Sequence, residues 1–191
     1  MERKQLERRA AAYALLRGVL AIPAGLLFIV AALGNWQVGP FASDWVFVAC
    51  LAVIGAAYLL IARAYQRRYG RMTPSTEQQL RAVAACALGV TVMFGGSLLL
   101  RSRAEWSLDL PVNAIAATFA IVMLAAYAIG EVLRPHHLAV YGSLLVAGAL
   151  PVWHGEDPSN IALVMCGACV IACGVLDHVA FVRTFRPALD A

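Results

Sequence analysis

Charged side chains are scarce in this chain: Asp, Glu, Lys and Arg make up 14% of its 191 residues, whereas hydrophobic residues make up 62%. Soluble domains carry about 25% charged and about 45–50% apolar residues. The composition therefore predicts an integral membrane protein with no room for a second folded domain or a nucleotide-binding fold. The net charge of +4 is explained by topology and by anionic lipid, so we predict the lipid bilayer and no nucleic acid as a partner.

Motifs that carry chemistry are also missing. The sequence contains no Walker phosphate loop, no His-Glu-x-x-His zinc motif, no Gly-x-Ser-x-Gly nucleophile motif and no Asp-rich diphosphate motif. The connections predicted on one side of the membrane are too short for a catalytic loop. We therefore expect no cofactor, and a non-enzymatic role is favoured over an enzymatic one.

Basic residues are nearly absent from one side of the predicted topology. Apolar segments predict six transmembrane helices at about 13–33, 45–65, 82–100, 111–130, 138–153 and 160–182. The first, third and fifth connections together contain two of the fifteen Lys and Arg residues, Arg101 and Arg103, both in the third connection. The other thirteen lie on the opposite side: Arg3, Lys4, Arg8, Arg9, Arg17, Arg63, Arg67, Arg68, Arg71, Arg81, Arg134, Arg183 and Arg186.

This partition predicts the orientation of the chain, because an excess of Lys and Arg near span ends marks the cytoplasmic side. We expect an all-α membrane domain over 1–191, made of three helical hairpins, with both termini in the cytoplasm of a bacterial-type inner membrane. The first span is long enough to be retained as a membrane helix rather than cleaved as a signal peptide.

Local signals predict where several helices begin and end. Asp44, Asp109 and the pair Asp157-Pro158 precede the second, fourth and sixth spans, which is typical of helix starts. The second helix is expected to continue past the membrane to about Tyr69, as an amphipathic segment rich in arginine.

The connection over 63–81 is the largest basic segment. Arg67, Arg68 and Arg71 alternate there with Tyr65 and Tyr69. One interpretation is an anchor in which arginines contact lipid headgroups. The other is a docking surface for a cytoplasmic or membrane protein partner.

Three cysteines follow one face of the sixth span. Cys166, Cys169 and Cys173 are followed by Asp177 at helical spacing, so the four residues share a stripe of about 80°. Thiolates with a carboxylate are ligands for a soft metal. However, small residues at a close helix contact produce the same pattern, and packing is the favoured interpretation.

Ionisable residues at membrane depth are stronger indicators of function. Glu131 ends the fourth span, and Asp177 and His178 lie near the cytoplasmic end of the sixth. We single out these three as candidate catalytic or substrate-coordinating residues, with Arg134 or His178 as the partner expected for Asp177. The alternative is that these charges lie in the interface, in water or against headgroups. His136 and His137 flank the entrance to the fifth span.

Two stretches carry a resemblance to a known family. The run from Leu15 to Ile22, followed by Gly25-Leu26-Leu27, resembles the opening helix of the HdeD-like acid-resistance membrane proteins, and 174–183 is similar to the close of one of their hairpins. The resemblance implies six spans in three hairpins and a role in stress response, with no assigned chemistry. The pair Asp177-His178 and the long basic connection depart from that pattern.

Three functions are compatible with these features. The first is a non-enzymatic accessory or partner subunit of a transport or stress-response system. The second is a small transporter or substrate-capture subunit with an intramembrane pocket. The third is a membrane enzyme that acts on a lipid or isoprenoid through Glu131 and Asp177. A homo-oligomer is compatible with each of them.

Overall fold

The computed structural model describes residues 18–69, 80, 84, 87, 91, 113–130, 132–149 and 158–185, and the described chain is all-helical. A 3-10 turn over Gly18–Leu20 leads directly into α1 (Ala21–Asn35), and a second 3-10 turn, Gly39–Ala42, precedes α2 (Asp44–Tyr69). The remaining helices are α3 (Ala114–Ile129), α4 (Pro135–Ala149) and α5 (Pro158–Phe185).

Three helical segments are long and apolar enough to cross a membrane: Gly18–Asn35, Asp44–Arg67 and Pro158–Arg183. Helix α3 contributes a shorter apolar stretch, Ile115–Ile129. These segments are compatible with a membrane location. The predicted third span at 82–100 lies outside the described residues, apart from three single helical positions within it.

Helix ends follow the local sequence. Helix α2 begins at Asp44 and ends at Tyr69, as predicted. Helix α3 begins later than the prediction of 111, because the side chain of Asn113 accepts a hydrogen bond from the backbone N–H of Ala116 at 3.1 Å and so caps the helix. The earlier signal, Asp109, lies outside the described residues.

Helices α1 and α5 run antiparallel and approach until their backbones touch. A Cβ atom added at Gly25 would lie 2.6 Å from the carbonyl oxygen of Gly167, and one at Gly174 would lie 2.5 Å from that of Gly18. Distances this short leave no room for a side chain, so glycine is required at each of the four positions. Small residues are what permits close helix packing in membranes.

The core lies between α3, α4 and α5. Its buried members are small, aliphatic or aromatic: Ala116, Phe119, Ala120, Tyr141, Leu144, Ala162, Cys166, Val170 and Cys173. A smaller cluster joins α2 to the C-terminal part of α5 through Tyr65 and Phe181. Two of the three predicted cysteines, Cys166 and Cys173, are therefore core residues, and Cys169 is half-buried beside them.

The two ends of the bundle differ in chemistry. At one end, amides join the helices: Asn35 donates to the side chain of Asn160 at 2.8 Å, and Asn113 donates to the carbonyl of Pro158 at 2.9 Å. At the other end, ionisable side chains of α3, α4 and α5 converge on Asp177. That second end holds the candidate functional site.

Candidate functional site

Asp177 is a buried carboxylate in an apolar helix. Its side chain is 2% exposed, and it lies near the C-terminal end of a segment that could cross a membrane. Uncompensated charge is expensive in such a place, so a buried carboxylate needs donors on several sides. The structure supplies them from two neighbouring helices.

Two imidazoles meet the same carboxylate oxygen. The Nε2 atoms of His136 and His137 each lie 2.9 Å from Oδ1 of Asp177. The side chain of His137 is fully buried, whereas that of His136 is 23% exposed. The cluster is therefore closed on one side and reaches the surface of the described protein through His136.

The hydrogen bonds of His137 fix its tautomer. Its Nδ1 atom accepts the backbone N–H of Arg134 at 3.1 Å, so that nitrogen carries a lone pair. Because an imidazole that accepts at Nδ1 is neutral and holds its proton at Nε2, His137 donates to Asp177. With a neutral His136 as well, the cluster carries a charge of −1.

Tyr127 of α3 completes the surroundings of the carboxylate. Its hydroxyl donates a long hydrogen bond of 3.4 Å to Oδ2 of Asp177, and its ring stacks on His137 with centroids 3.7 Å apart. The stacking holds the His137 ring in the plane that points Nε2 at the carboxylate. Asp177, His136, His137 and Tyr127 are hereafter termed the Asp177 cluster.

Helix α4 explains why both histidines reach Asp177. It begins at Pro135, whose fixed φ suits the first helical position, so His136 and His137 fall in its first turn. The sequence prediction started this span at 138 and left both histidines outside it. That boundary is why the cluster was missed, and Pro135 was the signal that could have revealed it.

The predicted partners of Asp177 lie elsewhere. Arg134 contributes its backbone N–H to His137. His178 points away from Asp177, about 100° further round α5, and its Nδ1 pairs with the hydroxyl of Tyr65 at 2.6 Å. Among the described residues, the carboxylate is contacted by His136, His137 and Tyr127 instead. The third candidate, Glu131, lies outside the described residues.

A second polar layer lies one helical turn further into the bundle. Tyr141 is fully buried, and its hydroxyl has no hydrogen-bond partner among the described residues. Its ring lies 6.0 Å from that of Tyr127. A buried hydroxyl without a partner costs roughly 1–3 kcal/mol, so its removal is expected to stabilise the bundle.

Three ligand atoms of the Asp177 cluster suit a metal ion. The Nε2 atoms of His136 and His137 and a carboxylate oxygen of Asp177 all lie within 4.8 Å of one another. Within the part of the chain that the structure describes, this is the one such group, and it contains none of the predicted cysteines.

The predicted docking residues are described in part. Arg67 is exposed at the end of α2, on the side opposite the buried Tyr65. The side chain of Arg68 and the whole of Arg71 lie outside the described residues.

No protein-family model, characterised protein or solved structure matches this chain. The function therefore has to be argued from the Asp177 cluster and from the sequence.

Proposed function

We propose that this chain is a small multi-pass membrane transporter or substrate-capture subunit that binds a cation at the Asp177 cluster. The observation that carries the proposal is the buried carboxylate of Asp177, held by two imidazoles in a helix apolar enough to cross a membrane. Ionisable residues in such helices are costly and mark ion or substrate pathways.

Charge complementarity selects the class of solute. His137 is neutral, so with a neutral His136 the Asp177 carboxylate leaves the cluster with a net charge of −1. A cation balances the remaining negative charge in a region of low dielectric constant, whereas an anion would add a second one. The partly exposed His136 gives the solute a way in from that end of the bundle.

The proposed topology has six spans in three hairpins, with both termini in the cytoplasm of a bacterial-type inner membrane. The thirteen-to-two partition of basic residues supports it. In this orientation the Asp177 cluster lies in the cytoplasmic half, because the C-terminal end of α5 faces inward. The bound cation then lies close to the cytoplasmic side of the membrane.

Solid-supported membrane electrophysiology on proteoliposomes tests the function. Concentration jumps of alkali, alkaline-earth, transition-metal and organic ammonium cations are applied to the wild type, to Asp177→Asn and to Asp44→Asn. Asp44 is an exposed carboxylate at the start of α2, so its variant is the matched control. We expect a current for at least one cation class in the wild type and in Asp44→Asn, and none in Asp177→Asn.

Indistinguishable responses from Asp177→Asn and the wild type across all four classes would refute the transport proposal. The accessory-subunit hypothesis then takes precedence, since Arg67 is exposed on the side of α2 opposite the buried Tyr65. Its test is co-purification from native membranes: Arg67→Gln releases a protein partner if the face docks one, and leaves the co-purifying set unchanged if it only anchors lipid.

A further inference from the structure

We propose that the Asp177 cluster binds one divalent transition-metal ion of the zinc, nickel and cobalt type, through Nε2 of His136, Nε2 of His137 and the Asp177 carboxylate. This inference rests on the proposed function, for which it names the substrate class. It starts from the three ligand atoms that lie within 4.8 Å of one another in a buried site.

The donor set selects the metal. Two imidazole nitrogens with one carboxylate oxygen suit zinc and its neighbours in the first transition row. Magnesium and calcium instead require several oxygen ligands, and among the described residues Asp177 is the one carboxylate in the cluster. Copper(I) prefers thiolates and thioethers, which the three ligands lack.

The geometry needs only small movements to accept an ion. Zinc lies about 2.0–2.2 Å from nitrogen and oxygen ligands, so neighbouring ligands in a tetrahedral site are about 3.3 Å apart. Each imidazole nitrogen lies 2.9 Å from the carboxylate oxygen. Side-chain rotations that separate them by a few tenths of an ångström make room for the ion.

The proton on His137 does not prevent binding. Ligation through Nε2 moves that proton to Nδ1, which gives up the hydrogen bond from Arg134. Arg134 is in the irregular segment before α4, so its amide is not part of the helical ladder and can turn. One neutral hydrogen bond is weak beside the free energy of binding a transition metal to three protein ligands.

The surroundings favour an exchangeable ion over a permanently enclosed one. Tyr127 donates to the other oxygen of Asp177 and so keeps Oδ1 turned toward the two imidazoles. Such a contact to a ligand tunes metal affinity. The partly exposed His136 leaves a side on which water completes the coordination. Sites with an open position release and exchange ligands more readily than closed structural sites.

The experiment is a metal titration of the full chain, purified with an affinity tag that contains no histidine and freed of metal with a chelator. Binding of Zn²⁺, Ni²⁺ and Co²⁺ is measured by isothermal titration calorimetry, and Co²⁺ also by its visible absorption. We expect one equivalent per chain for these ions, and no binding of Mg²⁺ or Ca²⁺ at the same concentrations.

Four variants separate a ligand role from a structural one. His136→Gln changes the partly exposed ligand, is the variant least disruptive to folding, and should weaken binding by on the order of 100-fold or more, while Tyr127→Phe should weaken it by about 10-fold. His178→Gln and Cys173→Ser should bind like the wild type, because neither residue is a ligand. Circular dichroism and size-exclusion chromatography establish that each variant is folded.

Two results overturn the metal proposal: no stoichiometric binding of any of the three ions, or unchanged affinity in His136→Gln. The proposed function fails by a different result, namely responses to all four cation classes that Asp177→Asn leaves unchanged from the wild type. A current for ammonium or alkali cations that depends on Asp177, without transition-metal binding, would reject the metal and retain the transporter.

Discussion

The contact between α1 and α5 predicts opposite effects of the same substitution at different glycines. In Gly167→Ala, the new methyl group would lie 2.6 Å from the carbonyl oxygen of Gly25, and backbone cannot move aside as a flexible side chain can. In Gly142→Ala, the methyl group would meet no described atom within 4 Å. Both positions lie inside helices, so both substitutions gain the same free energy from the higher helix propensity of alanine.

The magnitudes can be separated because the propensity gain is common to both variants. Alanine is favoured over glycine by up to about 1 kcal/mol inside a helix, which sets the expected effect at Gly142. Forcing an extra methyl group into a packed contact costs about 1–3 kcal/mol. Gly167→Ala should therefore be less stable than Gly142→Ala by about 1–3 kcal/mol, and between unchanged and about 3 kcal/mol less stable than the wild type.

The assay is reversible unfolding in mixed micelles with an increasing fraction of SDS, followed by far-ultraviolet circular dichroism. A second pair, Gly25→Ala and Gly55→Ala, repeats the comparison, since the first position faces Gly167 and the second meets no described atom within 4 Å. Equal midpoints for the members of both pairs would show that α1 and α5 do not touch through their backbones, and the packing reasoning would be refuted.

Three further predictions concern topology and single hydrogen bonds. In a background without native cysteines, a cysteine at Ser107 should react with a membrane-impermeant thiol reagent in whole cells, whereas one at Ser75 should react only after lysis; reaction at 75 in intact cells contradicts the orientation. Tyr141→Phe should raise the free energy of unfolding by about 1 kcal/mol, because it removes a buried hydroxyl that has no partner among the described residues. Tyr65→Phe, which loses a 2.6 Å hydrogen bond, should lower it by a similar amount, and effects of the same sign contradict this assignment. Asn113→Ala should lower the free energy of unfolding by about 1–2 kcal/mol in the same SDS titration, because it removes a helix cap and the hydrogen bond to the carbonyl of Pro158. An unchanged midpoint would show that neither contributes.

Composition and local signals predict where the helices lie better than they predict which helices contact one another. The all-helical class and the extension of α2 to Tyr69 follow from hydropathy and charge alone. Asp177 could be singled out because a carboxylate in an apolar run requires a partner wherever the helix packs. Its identity as a functional residue stays a prediction.

The side chains that contact Asp177 could not be predicted in the same way, because they depend on which helices pack against one another. Hydropathy excluded His136 and His137 from a span, although Pro135 starts the helix before them. Glycines are spread throughout the chain, so sequence alone did not reveal that Gly25 pairs with Gly167 and Gly18 with Gly174. Register between helices is a property of three-dimensional packing.

The order of synthesis determines when the glycine contact between α1 and α5 can form. Helix α1 leaves the ribosome early, but the surface it fits, on α5, is synthesised last of the described helices. Until α5 has been made, the backbone strip around Gly18 and Gly25 has no surface of α5 against it. Membrane helices insert first and associate afterwards, so the contact between α1 and α5 forms only after α5 has been made. In a chain truncated before α5, the first helix therefore keeps its glycine surface uncovered by the partner that the full chain supplies.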